Sequence, residues 1–379
     1  MKFDFDKVVD RHGTKCLKYD FAKERGRSDD MLPLWVADMD FPTAPGIQKS
    51  LSDAVAHGIY GYSEGKDDYF QAAAGWYEKH FGWKVEKEWL IKTPGVVFAL
   101  AMAVKAYTKE GDAVLLQQPV YYPFSEVITD NHRRLINSPL QQIDGHYEIN
   151  FEEFEQKIVE ENVKLFLMCS PHNPVGRVWK EWELRKIGDI CLKHNVLVVS
   201  DEIHSDFTYG ENIHHVFASL DEKYAAITTT CTAPSKTFNI AGLQISNIWI
   251  SNPELRARFR AEVTAAGYSQ VNLMGLVACQ AAYETGEEWL KELKIYLEGN
   301  LDYVRTFLKE NLPEIKLTEP EGTYLLWLDF KSLGMKEEQL KDLVENKAKL
   351  WLDSGAMFAC PREILKQALT QLAESVHDR

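Results

Sequence analysis

Short, almost unbroken apolar runs recur through the middle of the chain: AVLLQQP (113–119), KLFLMCSP (164–171), NVLVVSDE (195–202), AAITTTC (225–231) and NIWIS (247–251). Each has the length of a β-strand, and most stop at a Pro, Ser or Asp where a turn begins. Between them lie stretches with helical spacing, VFALAMAVKAY (97–107) and WELRKIGDICLKHN (182–195). Strands alternating with helices predict βαβ units, and hence an α/β domain around a mainly parallel sheet. After SNPELRARF (251–259) the pattern turns helical to about residue 310, and GTYLLWLDF (322–330) then returns to a strand. The expected organisation is an N-terminal arm over 1–45, a large α/β domain over 46–285, and a smaller α+β domain over 286–379 that both termini help to build. No Gly- or Ser-rich linker divides them, so the boundaries are soft.

Composition narrows the function. The chain has 379 residues, 45% hydrophobic and 26% charged, enough for a large core. A formal charge of −14 argues against nucleic acid, whose phosphates want a basic face. The N-terminus MKFDFDKVVDRHG has no apolar signal region, and no segment reaches the ~18 continuous apolar residues of a membrane span, so the expected location is the cytoplasm. Six scattered cysteines, with no CxxC, read as reduced core residues rather than a disulfide frame or zinc site, and no metal is expected. GIYGYSEG lacks the spacing of GxGxxG, GYSEGKD misses a phosphate-binding P-loop by one residue and by Asp67, and HExxH is absent.

Ligands of open α/β sheets bind beyond the carboxyl ends of the strands. The polar residues that close the apolar runs are Tyr121 and Tyr122 after QQPV, Asn173 in SPHNPVG, Asp201 and His204 in SDEIH, and Lys236 in TTTCTAPSKTFNIAGLQ (228–244). Each also has a plain structural reading: a turn before Pro174, a helix cap at Asp201, core aromatics, a solvated lysine. Together, with Asp201 28 positions after Asn173 and Lys236 35 after Asp201, they resemble the fold-type I enzymes that use pyridoxal 5′-phosphate (PLP), the class I/II aminotransferase superfamily. LPLWVADMDFPTAP, HGIYGYSEG and SPHNPVGRVW narrow the resemblance to the MalY/PatB-like branch of cystathionine β-lyases and cysteine-S-conjugate β-lyases.

The resemblance implies a role for each position. Lys236 would carry PLP covalently and serve as the base at Cα; Asp201 would face the pyridine nitrogen, Asn173 the phenolic oxygen and Tyr121 the ring face, with His204 packed nearby. The phosphate is expected where Gly95 opens a helix, on the amides of Val96 and Val97. Ser235 would add a hydroxyl, and Tyr62 another from a second subunit, which implies a homodimer with shared active sites. The implied reaction is β-elimination from L-cystathionine or other S-substituted cysteines to pyruvate, ammonia and a thiol. An amino-acid aminotransferase and a catalytically weakened PLP-binding regulator remain as alternatives, because one constellation serves all three.

Three departures accompany the match. Ala233 and Gln244 stand where many members have a phosphate-binding serine and arginine, and the lyase branch tolerates both. In WLDSGAMFACPREIL, Phe358 runs straight into Ala359, where members carry a glycine-rich segment and an Arg-x-Asn whose arginine holds the substrate carboxylate. A loop missing from the sequence in hand, favoured by the matching flanks, or a weakened substrate clamp would explain it.

Overall fold

The computed structural model describes residues 2–352 and 356–378. A seven-stranded sheet forms its centre, made of β1 (Leu90–Thr93), β2 (Ala113–Leu116), β3 (Arg134–Asn137), β4 (Val163–Cys169), β5 (Leu197–Asp201), β6 (Thr228–Thr232) and β7 (Ser246–Trp249). Their spatial order is β1-β7-β6-β5-β4-β2-β3. Only β7 opposes the others, pairing antiparallel with both β1 and β6. The architecture is therefore α/β with a mainly parallel sheet flanked by helices, as expected of the fold-type I PLP enzymes.

The continuous apolar runs arise because both sheet faces are covered. Along β4, Leu165 and Leu167 join the core that holds helix α1 (Val96–Tyr107), while Phe166 and Met168 join the opposite core that holds α2 (Glu181–Lys193). The period of two is thus present, but both phases are hydrophobic. Two strands were not foreseen. The outer strands β1 (LIKT) and β3 (RLIN) each cover one edge, where half-exposed positions take Lys92 and Arg134 and interrupt the apolar run. The AAITTTC run starts its strand only at Thr228, because Glu222–Ala225 forms a helical turn.

The chain after β7 is helical, through α4 (Pro253–Ala265) to the long α5 (Glu287–Asn311). The latter buries Trp289, Leu293, Leu297, Leu301, Val304 and Leu308, a three-to-four spacing that lines one face. N-terminal Phe5 and Phe41 join that cluster. A three-stranded sheet of β8 (Lys316–Thr318), β9 (Leu325–Asp329) and β10 (Ala356–Met357) follows. The N-terminal arm meets this region directly: Leu32–Pro33 pairs in parallel with Leu350–Trp351, and Trp35 stacks on Trp351 with ring centroids 4.5 Å apart.

Candidate active site

The sheet changes winding direction between β2 and β4: the chain proceeds outward from β2 to β3, then returns to β4 and continues the other way through β5 and β6. A crevice opens at the carboxyl ends of such neighbours. Here the Tyr121 N–H, after β2, donates to the Asn173 carbonyl, after β4, at 3.0 Å. A cavity of about 370 Å³ lies at this edge, and Val96, Val97, Tyr121, Asn173, Asp201, His204, Ser235 and Lys236 all line it. Tyr122 does not: it is 40% exposed, directly before the helix Pro123–Thr129. Tyr62 does not line it either and is 95% exposed on an adjoining cleft that shares Pro94 and Gln244 with it.

Lys236 sits in a one-turn helix, α3 (Pro234–Thr237). Its Nζ donates to the Ala37 carbonyl at 2.9 Å, and Tyr324 Oη donates to the same oxygen at 3.0 Å. Burial lowers the lysine pKa, against the opposing pull of Asp38 and Asp201. The residues after the lysine place Ala37 above it. Asn239 accepts from Met39 N–H at 2.9 Å and donates to the Met39 and Phe41 carbonyls, both at 2.8 Å. Thr237 Oγ1 donates to Asp206 at 2.6 Å, and Trp76 Nε1 holds the other Asp206 oxygen at 3.0 Å. Ala37, Asn239 and Tyr324 were not foreseen as site residues. Ala37 contributes a backbone carbonyl, which carries no residue-type signal. The WVADMDF motif around it was the available clue.

Asp201 ends β5, 6% exposed, and accepts from Ile203 N–H at 3.1 Å. Burial pushes its carboxyl up to about 7, with Lys236 pulling the other way. Such a group calls for a cationic hydrogen-bonding partner, and a protonated pyridine nitrogen is one. His204 is 1% exposed, both ring nitrogens lack a hydrogen-bond partner, and burial holds its pKa down to about 3. It is a neutral imidazole on the cavity wall with polar capacity unspent. At the third corner, the first bond of α1 runs from Ala99 N to Gly95 O at 3.1 Å. The amides of Val96 and Val97 precede that bond and have no carbonyl within the helix, and Gly95 brings no side chain to cap them. Cation-seeking carboxyl, unsatisfied imidazole, anion-seeking amides and amine match the parts of PLP.

The cavity contains no arginine among its described lining residues. Phe358, Ala359 and Cys360 are fully buried, and Asn300 Nδ2 ties the Phe358 and Cys360 carbonyls together at 3.0 and 2.9 Å. The Phe358–Ala359 junction is therefore packed into the core, with the carbonyls on either side of it held by one amide. Residues 353–355, beside that junction, lie outside the described residues.

The chain matches known proteins over most of its length. The family model for aminotransferase class I and II matches residues 29–369. Cystathionine beta-lyase PatB of Bacillus subtilis is 43% identical over 355 residues, covering 94% of this chain and 92% of that one. Among solved structures, cystalysin from Treponema denticola, which contains a pyridoxal 5′-phosphate cofactor, superimposes with a TM-score of 0.96 at 36% identity over all of both chains. A PLP-bound C-S lyase from Staphylococcus hominis gives 0.92 at 32% identity, over 99% of this chain and 98% of that one. With the family model spanning most of its length and its lysine, aspartate and asparagine meeting at one sheet edge, this chain belongs to the class I and II aminotransferase family, in its MalY/PatB-like branch.

Proposed function

We propose that the chain is a PLP-dependent carbon–sulfur β-lyase that acts on S-substituted L-cysteines and releases a thiol, pyruvate and ammonia. The observation that carries this reading is the meeting of the Lys236 amine with buried Asp201 in one cavity at the carboxyl edge of the sheet. Val96, Val97 and Ser235 would hold the cofactor phosphate, Asp201 the ring nitrogen, Asn173 the phenolic oxygen and Tyr121 the ring face, with His204 alongside and Lys236 as the covalent anchor. When bound, PLP supplies the electron sink that makes an amino acid's Cα–H acidic.

The protein's own groups do the rest. Lys236, freed by the incoming amine, takes the Cα proton; its lowered pKa keeps more of it in the neutral, basic form. Asp201 keeps a proton on the ring nitrogen, because a carboxyl that is uncomfortable alone becomes a carboxylate beside a cation. Phe98, Phe124, Ile203 and Ile245 line the cavity and exclude water from the amine. The electron pair left at Cα when its proton passes to Lys236 expels sulfur from Cβ as the thiolate, and water then hydrolyses the released 2-aminoacrylate to pyruvate and ammonia. Gln244 on the cavity wall, in place of a cation, supports the lyase reading over a typical aminotransferase.

We place the enzyme in the cytoplasm as a homodimer. All six cysteines are free, five of them buried and Cys16 partly so, which suits a reducing compartment. No helix among the described residues is long and apolar enough to cross a membrane. Ile59, Tyr60 and Tyr62, exposed by 68%, 60% and 95%, form an apolar turn that a second copy would cover.

Incubating the PLP-loaded protein with L-cystathionine and no keto acid tests the reaction. Equimolar pyruvate and homocysteine support it. Turnover only with an added keto acid indicates an aminotransferase. Bound cofactor without turnover indicates a regulator, the alternative that the missing arginine keeps open.

A further inference from the structure

Lys236 sits on a helix of one turn, too short to hold its own direction in water. Contacts from outside that helix must therefore fix where the amine points. Successive helical side chains stand about 100° apart, so Thr237, which is fully buried, leaves the turn in another direction from Lys236. Its Oγ1 donates to one Asp206 oxygen at 2.6 Å, and Trp76 Nε1, on the helix Asp67–Phe81, donates to the other at 3.0 Å. Trp76 also packs against Phe238, the residue after Thr237, with ring centroids 5.5 Å apart. The carboxylate and the indole thus grip the turn at two consecutive residues.

Asp206 belongs to the loop that leaves β5, which carries Asp201 and His204 onto the wall of the cofactor cavity. Bonds from Ser205 N–H to the Glu202 carbonyl at 3.1 Å and from Phe207 N–H to the His204 carbonyl at 3.0 Å wind that loop tightly. Ser205 and Asp206 line a different cavity of about 500 Å³, which shares no lining residue with the first. Asp206 therefore ties the loop of Asp201 to the turn of Lys236 without facing the substrate. A carboxylate suits this post: the indole N–H can only donate, and the single oxygen of an asparagine could not accept along both lines. We infer that Asp206 is a positioning residue for Lys236, its carboxylate fixing through Thr237 the turn that aims the amine. The inference rests on the reading of Lys236 as the cofactor's anchor and the base at Cα.

The test follows exchange of the Cα proton of L-alanine in deuterium oxide on PLP-loaded enzyme, by NMR, because alanine has no leaving group and the step reports the base alone. Thr237→Val, which keeps the shape and drops the hydroxyl, and Asp206→Ala should each lose about a hundredfold in maximal exchange rate, with little change in the alanine concentration at half-maximum. Both should also lower the yield of borohydride-fixable cofactor at equal bound PLP. Thr237→Ser, which keeps the hydroxyl, should recover most of the loss. Formate separates aim from fold. In Asp206→Ala it can enter through the cavity of about 500 Å³, where the Trp76 and Thr237 donors have lost their acceptor and Lys294 lines the wall. It should raise exchange by Asp206→Ala about tenfold or more over chloride at the same concentration, and restore the fixable cofactor, yet do nothing for the double variant Asp206→Ala, Thr237→Val. Near-normal exchange by Thr237→Val overturns the inference. So does a loss in Asp206→Ala that formate leaves untouched, or a rescue that survives removal of the Thr237 hydroxyl. Should Asp206→Ala fail to fold, Thr237→Val against Thr237→Ser decides alone. The lyase reading fails separately: an enzyme that exchanges the alanine proton but releases no pyruvate from L-cystathionine removes β-elimination and leaves the positioning role standing.

Discussion

At the scale of single residues, burial moves Lys236, Asp201 and His204 in the cavity toward neutrality, and the first two each give a prediction. Lys236→Ala removes the only amine on the cavity wall among the described residues. The expected result is a fall in pyruvate release of at least about a thousandfold, together with loss of borohydride-fixable cofactor; retention of either assigns the role to another group. Asp201 offers a pH test on the cofactor-free protein. Its carboxyl, at about 7 in the fold, keeps a proton that the unfolded chain loses near the ordinary carboxylate value of about 4. The stability this contributes is fully present below about pH 4 and is lost as pH rises through about 7. His204, held down to about 3, works oppositely: its contribution is present above about 6.5 and is lost as pH falls toward 3. The two trends overlap, so the informative quantity is the difference from Asp201→Asn. Cofactor-free Asp201→Asn should gain in Tm on cofactor-free wild type between about pH 4 and pH 7 and then hold its advantage. A difference flat across that window would show that Asp201 is not destabilised as a carboxylate.

At the scale of elements, the site depends on backbone positions as much as on side chains. The amide of Val96 is the first free donor of α1, and Gly95 before it is extended, which a following proline requires. Val96→Pro should therefore keep the helix, unchanged by circular dichroism, while removing one donor aimed at the phosphate. PLP affinity should fall by about tenfold, measured by titrating the cofactor-free protein; unchanged affinity would move the phosphate elsewhere. Asn239, at φ +55°, makes three bonds to the 39–41 segment. Asn239→Ala should cost about 1–3 kcal/mol in urea unfolding, because it frees the segment that carries Ala37. These two elements also mark the limit of what the sequence discloses. Buried strands such as β4 and β5 were legible because both faces are apolar, and Asn173, Asp201 and Lys236 were legible as the polar residues that stop β4, β5 and β6. The outer strands β1 and β3 mix polar residues into short runs. The approach of Ala37 and Tyr324 to Lys236 is set by chain closure over 199 and 88 positions (236 − 37 and 324 − 236), which no local pattern encodes.

At the scale of the whole molecule, the exposed turn at 59–62 bears on whether the active site belongs to one chain or to two. Tyr62 stands outside its own chain's cavity, yet the cleft it lines joins that cavity at Pro94 and Gln244. A two-fold axis near the cleft would let the turn of one protomer complete the site of the other, since an isologous interface presents the same patch from both sides. That arrangement makes a prediction that a self-sufficient protomer does not. Lys236→Ala leaves Tyr62 intact, and Tyr62→Ala leaves Lys236 intact. Unfolded together and refolded, the two variants form hybrids in which one site has both defects and the other has neither. With random association, half the dimers are hybrids carrying one intact site of two, so the mixture should recover about a quarter of wild-type activity, well above either variant refolded alone. If Tyr62 served its own chain, every site in the hybrid would lack either Lys236 or Tyr62 and mixing would restore nothing. Recovery on mixing, with a solution mass twice the 43.5 kDa of one chain, would establish that the active site is shared.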